Sequence, residues 1–328
     1  MINESLIEYN HEPFVLSEPG IGLTGDMACH YALSLVLLQN LNILQENEAG
    51  IRADKDIEYL HHFRVSGRRS RSILNRIKQV YPESQKTRFK KAFSWMSEFT
   101  GRHRDLDIFL SNFTLYEKKF TGNDYGELNK LHVYLQKLRE KEHLRLIKAL
   151  DSKRYASFKI SWHDFLVNAI KQPFNTVNSS APIIEIVNQA IWKNYRKLIK
   201  QKKKIKTKYD HAEIHKLRIT TKKLRYLLDS FYSIYDSNEI TRIIDMLKKL
   251  QNNMGDIVDM QNQQVFIEQW KQTMHQHNNI TIQRLNIINQ LEMICDDKKN
   301  KAMKKFVNQF NTFSAEPKQE LFRHVFHG

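Results

Sequence analysis

The sequence predicts an all-α protein built from two related helical halves, and three observations carry that expectation. Ten glycines and six prolines make up about 5% of the 328 residues, against roughly 12% in an average protein, which leaves little turn chemistry for a many-stranded sheet. Apolar residues recur at helical spacing almost without interruption from about residue 25 onward. Finally, the chain matches itself at a fixed offset. Its length is about twice that of a usual single domain, which suits a duplication. A 41% hydrophobic composition supplies the apolar side chains for a sizeable core.

Residues 1–24 carry Pro13, Pro19, Gly20, Gly22 and Thr24, a turn-rich lead-in expected to end in a helix N-cap around Thr24. Helical patterns then run over about 25–46, 54–80, 84–116, 124–150 and 152–172, which make the first half. Small polar residues between Pro173 and Pro182 mark a linker over 173–182, and Pro182 suits a first helical turn. The second half, about 183–315, holds helical patterns over about 182–208, 209–235, 238–276 and 281–312.

An offset of 154 residues carries His61, Arg64, Arg71, Leu74, Tyr81, Thr87, Arg88, Gly101 and Asp105 onto His215, Arg218, Arg225, Leu228, Tyr235, Thr241, Arg242, Gly255 and Asp259 without a gap. Between these identities Val65 meets Ile219, Arg68 meets Lys222 and Arg69 meets Lys223. Apolar and cationic character persist where identity does not, so a duplicated helical unit is the simplest reading.

Lys and Arg number 52 against 36 Asp and Glu, a formal net charge of +16. A surplus of that size points to a polyanionic partner. The charge is also segregated. On a helix advancing about 100° per residue, His61, Arg64, Arg68 and Arg71 fall within an arc of about 80°, while Phe63, Ile73, Leu74, Ile77 and Val80 lie opposite. The second copy repeats the division, with His215, Arg218, Lys222 and Arg225 outward and Leu217, Leu227, Leu228, Phe231 and Ile234 inward. A solvated face is the competing explanation for such a stripe. Against it, residues 59–82 and 186–209 contain no acidic residue at all, so no ion pair inside either segment relieves the repulsion between like charges. In the latter, Lys193, Arg196, Lys197, Lys200, Lys203 and Lys204 share an arc of about 140°.

Other chemistries find less support. Cys29 and Cys295 are the two cysteines, without paired spacing, so no disulfide framework, cysteine zinc site or iron–sulfur cluster is expected, and a reduced cytosolic setting fits. The N-terminal residues are acidic and Tyr31–Leu38 is the longest apolar stretch, so no signal peptide and no membrane span is expected. No glycine-rich phosphate loop is present. His211 and His215 are spaced for a shared metal but lack a third ligand, so no metal site and no cofactor is expected. Asp105 and Asp107, in Gly101-Arg-His-Arg-Asp-Leu-Asp107, read either as a carboxylate pair or as structural groups. We expect Asp105 and Asp259 to support the stripe arginines through bidentate hydrogen bonds.

With its doubled His-x-x-Arg-Val-x-x-Arg-Arg-x-Arg motif and the trailing Gly-x-x-Arg-Asp-Leu-Asp, the sequence resembles the conserved histidine α-helical domain (CHAD) family from about Thr24 to the last helix. The resemblance implies one CHAD domain over residues 25–328. It would consist of two four-helix bundles related by a pseudo-twofold axis, with basic helices lining a central groove or pore that binds inorganic polyphosphate. It further implies a non-enzymatic binding module of the cytoplasm or of polyphosphate granules. Where the motif matches, phosphate contacts are expected from His61, Arg64, Arg68, Arg71, His215, Arg218, Lys222 and Arg225, with Lys200, Lys203 and Lys204 as weaker candidates. Val258 stands where the motif has arginine, and the first half lacks a lysine run like that of 193–208, so the lining should be lopsided.

Two alternatives stay open. RNA or single-stranded DNA would use the same charge but adds aromatic stacking platforms, and the one aromatic residue within 61–78, Phe63, lies on the core side. An all-helical metal-dependent phosphohydrolase is suggested by His163-Asp164, although Trp162 and Phe165 beside them read as core.

Overall fold

The computed structural model describes residues 22–204, 211–235, 238–277 and 279–327. Among them the regular structure is helical, and the only β pairing is an isolated bridge between Ala28 and Pro182. The first half contains α1 (Cys29–Glu46), α2 (Glu48–Arg52), α3 (Ile57–Arg76), α4 (Glu83–Phe99), α5 (Gly101–Ser111), α6 (Thr114–Glu117), α7 (Gly122–Leu150) and α8 (Lys153–Lys171). The second contains α9 (Ile183–Lys204), α10 (His211–Ser230), α11 (Asn238–Gln276), α12 (Ile282–Phe313) and α13 (Glu316–His327), with a 3-10 turn at Tyr232–Ile234. The first residues of α1, α3 and α4, at 29, 57 and 83, recur at 183, 211 and 238 in α9, α10 and α11. That matches the 154-residue offset to within one residue, so the repeat seen in the sequence is also a repeat of helices.

Local chemistry explains several boundaries. Asp56 caps α3 by accepting from the Glu58 amide at 2.8 Å, and Ser152 caps α8 by accepting from the Tyr155 amide at 3.2 Å. The start of α1 departs from expectation. The helix begins at Cys29, not near Thr24, and no side chain caps it. Its first amides donate to the linker instead, Cys29 to the Ala181 carbonyl at 2.8 Å and His30 to the Ser179 carbonyl at 2.9 Å, which satisfies donors that a helix start leaves open. The linker also closes the α3–α4 turn, where the Asn178 amide donates to the Gln79 carbonyl at 2.8 Å and Thr176 Oγ1 to the Val80 carbonyl at 2.9 Å.

The single helix expected over 84–116 is broken. Thr100 interrupts it between α4 and α5, its hydroxyl donating to the Met96 carbonyl at 2.7 Å. Such back-bonding bends helices. Met254 occupies the corresponding place in the second half and α11 runs through it unbroken. The C-terminal helix α13 lies beyond the last helical pattern read from the sequence.

Two cores hold the molecule together. The larger is continuous across both halves. In the first half Trp162 is fully buried against Phe89 and Phe93, at centroid distances of 4.4 and 5.6 Å. In the second, Tyr195 stacks on Phe322 at 3.8 Å. The smaller core joins α5, α6 and α7 to α11 and α12 through Phe109, Tyr116, Leu131, Trp270 and Leu291. Losing a whole aromatic side chain from such packing costs ~3–5 kcal/mol. With both cores behind them, α3 and α10 pack directly on each other. That contact brings the two basic stripes to one seam.

Candidate functional site at the seam of the two basic helices

Each half contributes the same set of groups to the seam. Arg64 and Arg68 come from α3, and Arg218 and Lys222 from α10. Asp105 on α5 and Asp259 on α11 lie within electrostatic reach. The Asp105 carboxyl feels Arg64, Asp259, Arg218 and Arg68, and the Lys222 ammonium feels Arg68, Arg218, Asp259 and Arg225. Burial raises the Asp105 carboxyl above the ordinary range; Arg64 opposes that shift and Asp259 adds to it. Burial and then the Arg68 charge hold the Arg64 guanidinium down to about 9. Arg218 is lowered chiefly by burial, and Lys222 is pushed well below the usual lysine range by burial and by Arg68 and Arg218. Four cations therefore face two carboxylates in a poorly solvated place, where like charges repel strongly.

The anchors of these side chains differ from the sequence-based expectation. Arg64 donates through Nη1 to the Thr100 hydroxyl and, at 3.2 Å, to the Ser97 carbonyl. Asp105 makes no ion pair or hydrogen bond to a stripe arginine among the described residues, so the bidentate grip expected of it is not formed there. It acts through its charge. Asp107 takes the direct arginine contact, accepting from Arg139 Nε at 2.7 Å. Arg68 donates to the Arg64 carbonyl at 3.2 Å, and Arg71, half-buried, donates to the Ser94 hydroxyl at 3.3 Å. Arg225 is paired with Asp229 at 3.1 Å, and Arg69 reaches the same carboxylate at 3.7 Å.

The two histidines are not equivalent. His61 Nδ1 accepts from Arg104 Nη2 at 3.1 Å, while the same guanidinium donates to the Ile57 carbonyl at 3.0 Å and to Glu58 at 3.3 Å. His215 is exposed, and the residue in the Arg104 position of its half is Val258, which has no donor. The Arg104/Val258 mismatch is visible in the sequence, but the contact by which Arg104 orients His61 is not.

The basic track continues past the seam. Lys223 is lowered to about 8 by burial and by Arg76, Lys197 and Arg71, which links α3 and α10 to α9. Lys200 is exposed on α9. It lines an open groove of about 970 Å³ along α9 and α13, with Trp192, Lys193, Arg196, Lys197 and His327. Lys200 thus lies in this groove, beside the seam. The side chains of Lys203 and Lys204 lie outside the described residues. His163 and Asp164 are exposed neighbours 3.3 Å apart, and no third metal-ligating group joins them among the described residues. No described helix is long and apolar enough to cross a membrane.

A doubled basic helix pair inside a two-core, all-helical fold defines a class, and comparison with known proteins identifies it. The chain belongs to the CHAD domain family, whose profile matches residues 35–268. It is similar in fold to the crystal structure of the CHAD domain from the plant Ricinus communis, with a TM-score of 0.67 at 20% identity over 93% of this chain and 94% of that one. It is also similar to PptA from Streptomyces chartreusis, with a TM-score of 0.66 at 12% identity over 87% of this chain and 99% of that one. No curated protein matches the chain.

Proposed function

We propose that this protein binds inorganic polyphosphate, without turning it over, along the seam where α3 and α10 meet. The observation that carries the reading is the imbalance at the seam: Arg64, Arg68, Arg218 and Lys222 converge against Asp105 and Asp259. A buried excess of cations is costly unless an anion joins it. A chain of phosphates supplies repeated negative charge with little bulk, and arginine donors can grip its oxygens in pairs while lysine acts as a mobile point charge. Arg71, Arg76, Lys223 and Lys197 extend the track, which favours a long flexible polyanion over a single phosphate. His61, His215 and Arg225 flank the seam as further contacts, and placement on polyphosphate granules would follow from the same affinity.

Nucleic acid shares the charge but not the shape of this site. Phe63 is buried, and no exposed aromatic side chain stands on the stripe face of α3 to stack a base. Competition between polyphosphate and single-stranded RNA for the protein at fixed salt separates the two. Polyphosphate should displace bound RNA at equal phosphate concentration; preferential retention of RNA would reverse the assignment.

A further inference from the structure

We propose that Asp54, His103 and His143 form a binding site for a divalent transition-metal ion, zinc foremost, that ties the α2–α3 connection to helices α5 and α7. The site uses none of the seam's phosphate-contact residues and does not depend on that reading.

The three residues are far apart in sequence, yet their candidate ligand atoms all lie within 4.8 Å of one another. His103 comes from α5, His143 from α7 and Asp54 from the short connection after α2. The two imidazoles face each other at a centroid distance of 5.3 Å. His103 is 3% exposed, and its Nδ1 is buried without a hydrogen-bond partner; His143 Nδ1 and Asp107 Oδ2 are in the same position. His103 also feels the Arg139 backbone carbonyl; buried polar atoms without close partners each call for an explanation, and one ion shared by the cluster fits all three. Two imidazole nitrogens and a carboxylate oxygen make up a ligand set that suits zinc, with a fourth position left for water or for a nearby carboxylate.

The neighbouring groups fit a supporting role. Arg139 donates to both oxygens of Asp54, at 2.7 and 2.6 Å, and through Nε to Asp107 at 2.7 Å. A carboxylate has about four lone-pair sites, so Asp54 can keep these bonds while offering a lone pair to a metal, as ligating carboxylates commonly do. Asp107 also lies 3.5 Å from His103 Nε2, placed to help orient the ring. The backbone of Asp54 is left-handed, with φ of 48°. Aspartate tolerates that region better than most residues, and here it sets the carboxylate against the two helices.

The test uses the full-length protein, stripped of metal by chelator and titrated with zinc alone by calorimetry, with cobalt(II) absorption as the second readout. Wild type should bind one equivalent of zinc and give the visible bands of low-coordinate cobalt. His143→Gln and Asp54→Asn, both at positions less buried than His103, should each weaken zinc at least tenfold and erase the cobalt bands while the helical circular dichroism is kept. Failure of the wild type to bind one equivalent of zinc, or binding unchanged in either variant, overturns the site.

Discussion

Arg104 on α5 donates to Nδ1 of His61 on α3 across 3.1 Å. An arginine cannot accept a hydrogen bond, so the neutral His61 ring must carry its proton on Nε2. The contact sets His61 as a donor beside the basic stripe. Replacing Arg104 with Met should therefore weaken polyphosphate binding as much as His61→Ala does, and the double variant should be little worse than either single one. Nitrogen-15 NMR of the His61 ring checks the tautomer directly; an Nδ1–H signal in the unliganded protein would contradict this role.

Arg64 and Arg71 share a stripe but not an environment. Arg64 is largely buried and donates to Ser97 and Thr100, whereas Arg71 has one bond at 3.3 Å. Arg64→Ala should cost about 1–3 kcal/mol in denaturant unfolding, and Arg71→Ala less than ~1 kcal/mol. Equal unfolding midpoints for the two variants would show that Thr100 does not anchor Arg64.

The pH dependence has a definite sign. Lys223 is lowered to about 8, so raising pH from 7 to 9 removes its positive charge from the track. Polyphosphate affinity should fall over that interval, and binding near pH 8 should take up protons, measurable by calorimetry in buffers of different ionisation enthalpy. The stability contribution of Lys223 runs the other way. Its folded value lies below the unfolded lysine value of about 10.4, so the unfolded chain binds more protons between the two and stability gains with rising pH there. Lys223→Arg should flatten the affinity profile; a profile unchanged by that substitution would remove Lys223 from the track.

Asp105 restrains the cations without bonding them. Asp105→Asn removes a carboxylate whose charge the fold disfavours, so it should leave the melting temperature of the free protein no lower and should raise polyphosphate affinity by leaving the seam cations less compensated. Polyphosphate at 100 times its Kd should stabilise the variant by about 2.7 kcal/mol by mass action. Weaker binding by Asp105→Asn would mean that its carboxylate organises the site through contact instead of charge.

The helical class, the duplication and the two basic stripes were legible because each is a periodic signal within one segment. The offset of 154 residues, read over 61–105 and 215–259, related α3–α5 to α10 and α11; its extension to α1 and α9 came from the helix starts at 29 and 183. Contacts between segments were not legible. Nothing in the local pattern shows that Thr100 bends α4 away from α5, that linker carbonyls take the place of a cap at α1, or that Asp107 rather than Asp105 receives an arginine. The convergence of Asp54, His103 and His143 was hidden for the same reason, since no spacing rule joins a turn residue to two different helices.

The central claim is that both halves grip one phosphate chain. It is tested most directly by titrating a polyphosphate of defined length, over several salt concentrations, into wild type and into Arg68→Gln/Lys222→Gln, which removes one cation from each stripe. With about six phosphate contacts, the wild-type log–log salt slope should be roughly −4, taking the coefficient for single strands. The double variant should bind at least tenfold more weakly, with a slope shallower by about one or more. Equal affinity and an equal slope for the two proteins would contradict the account.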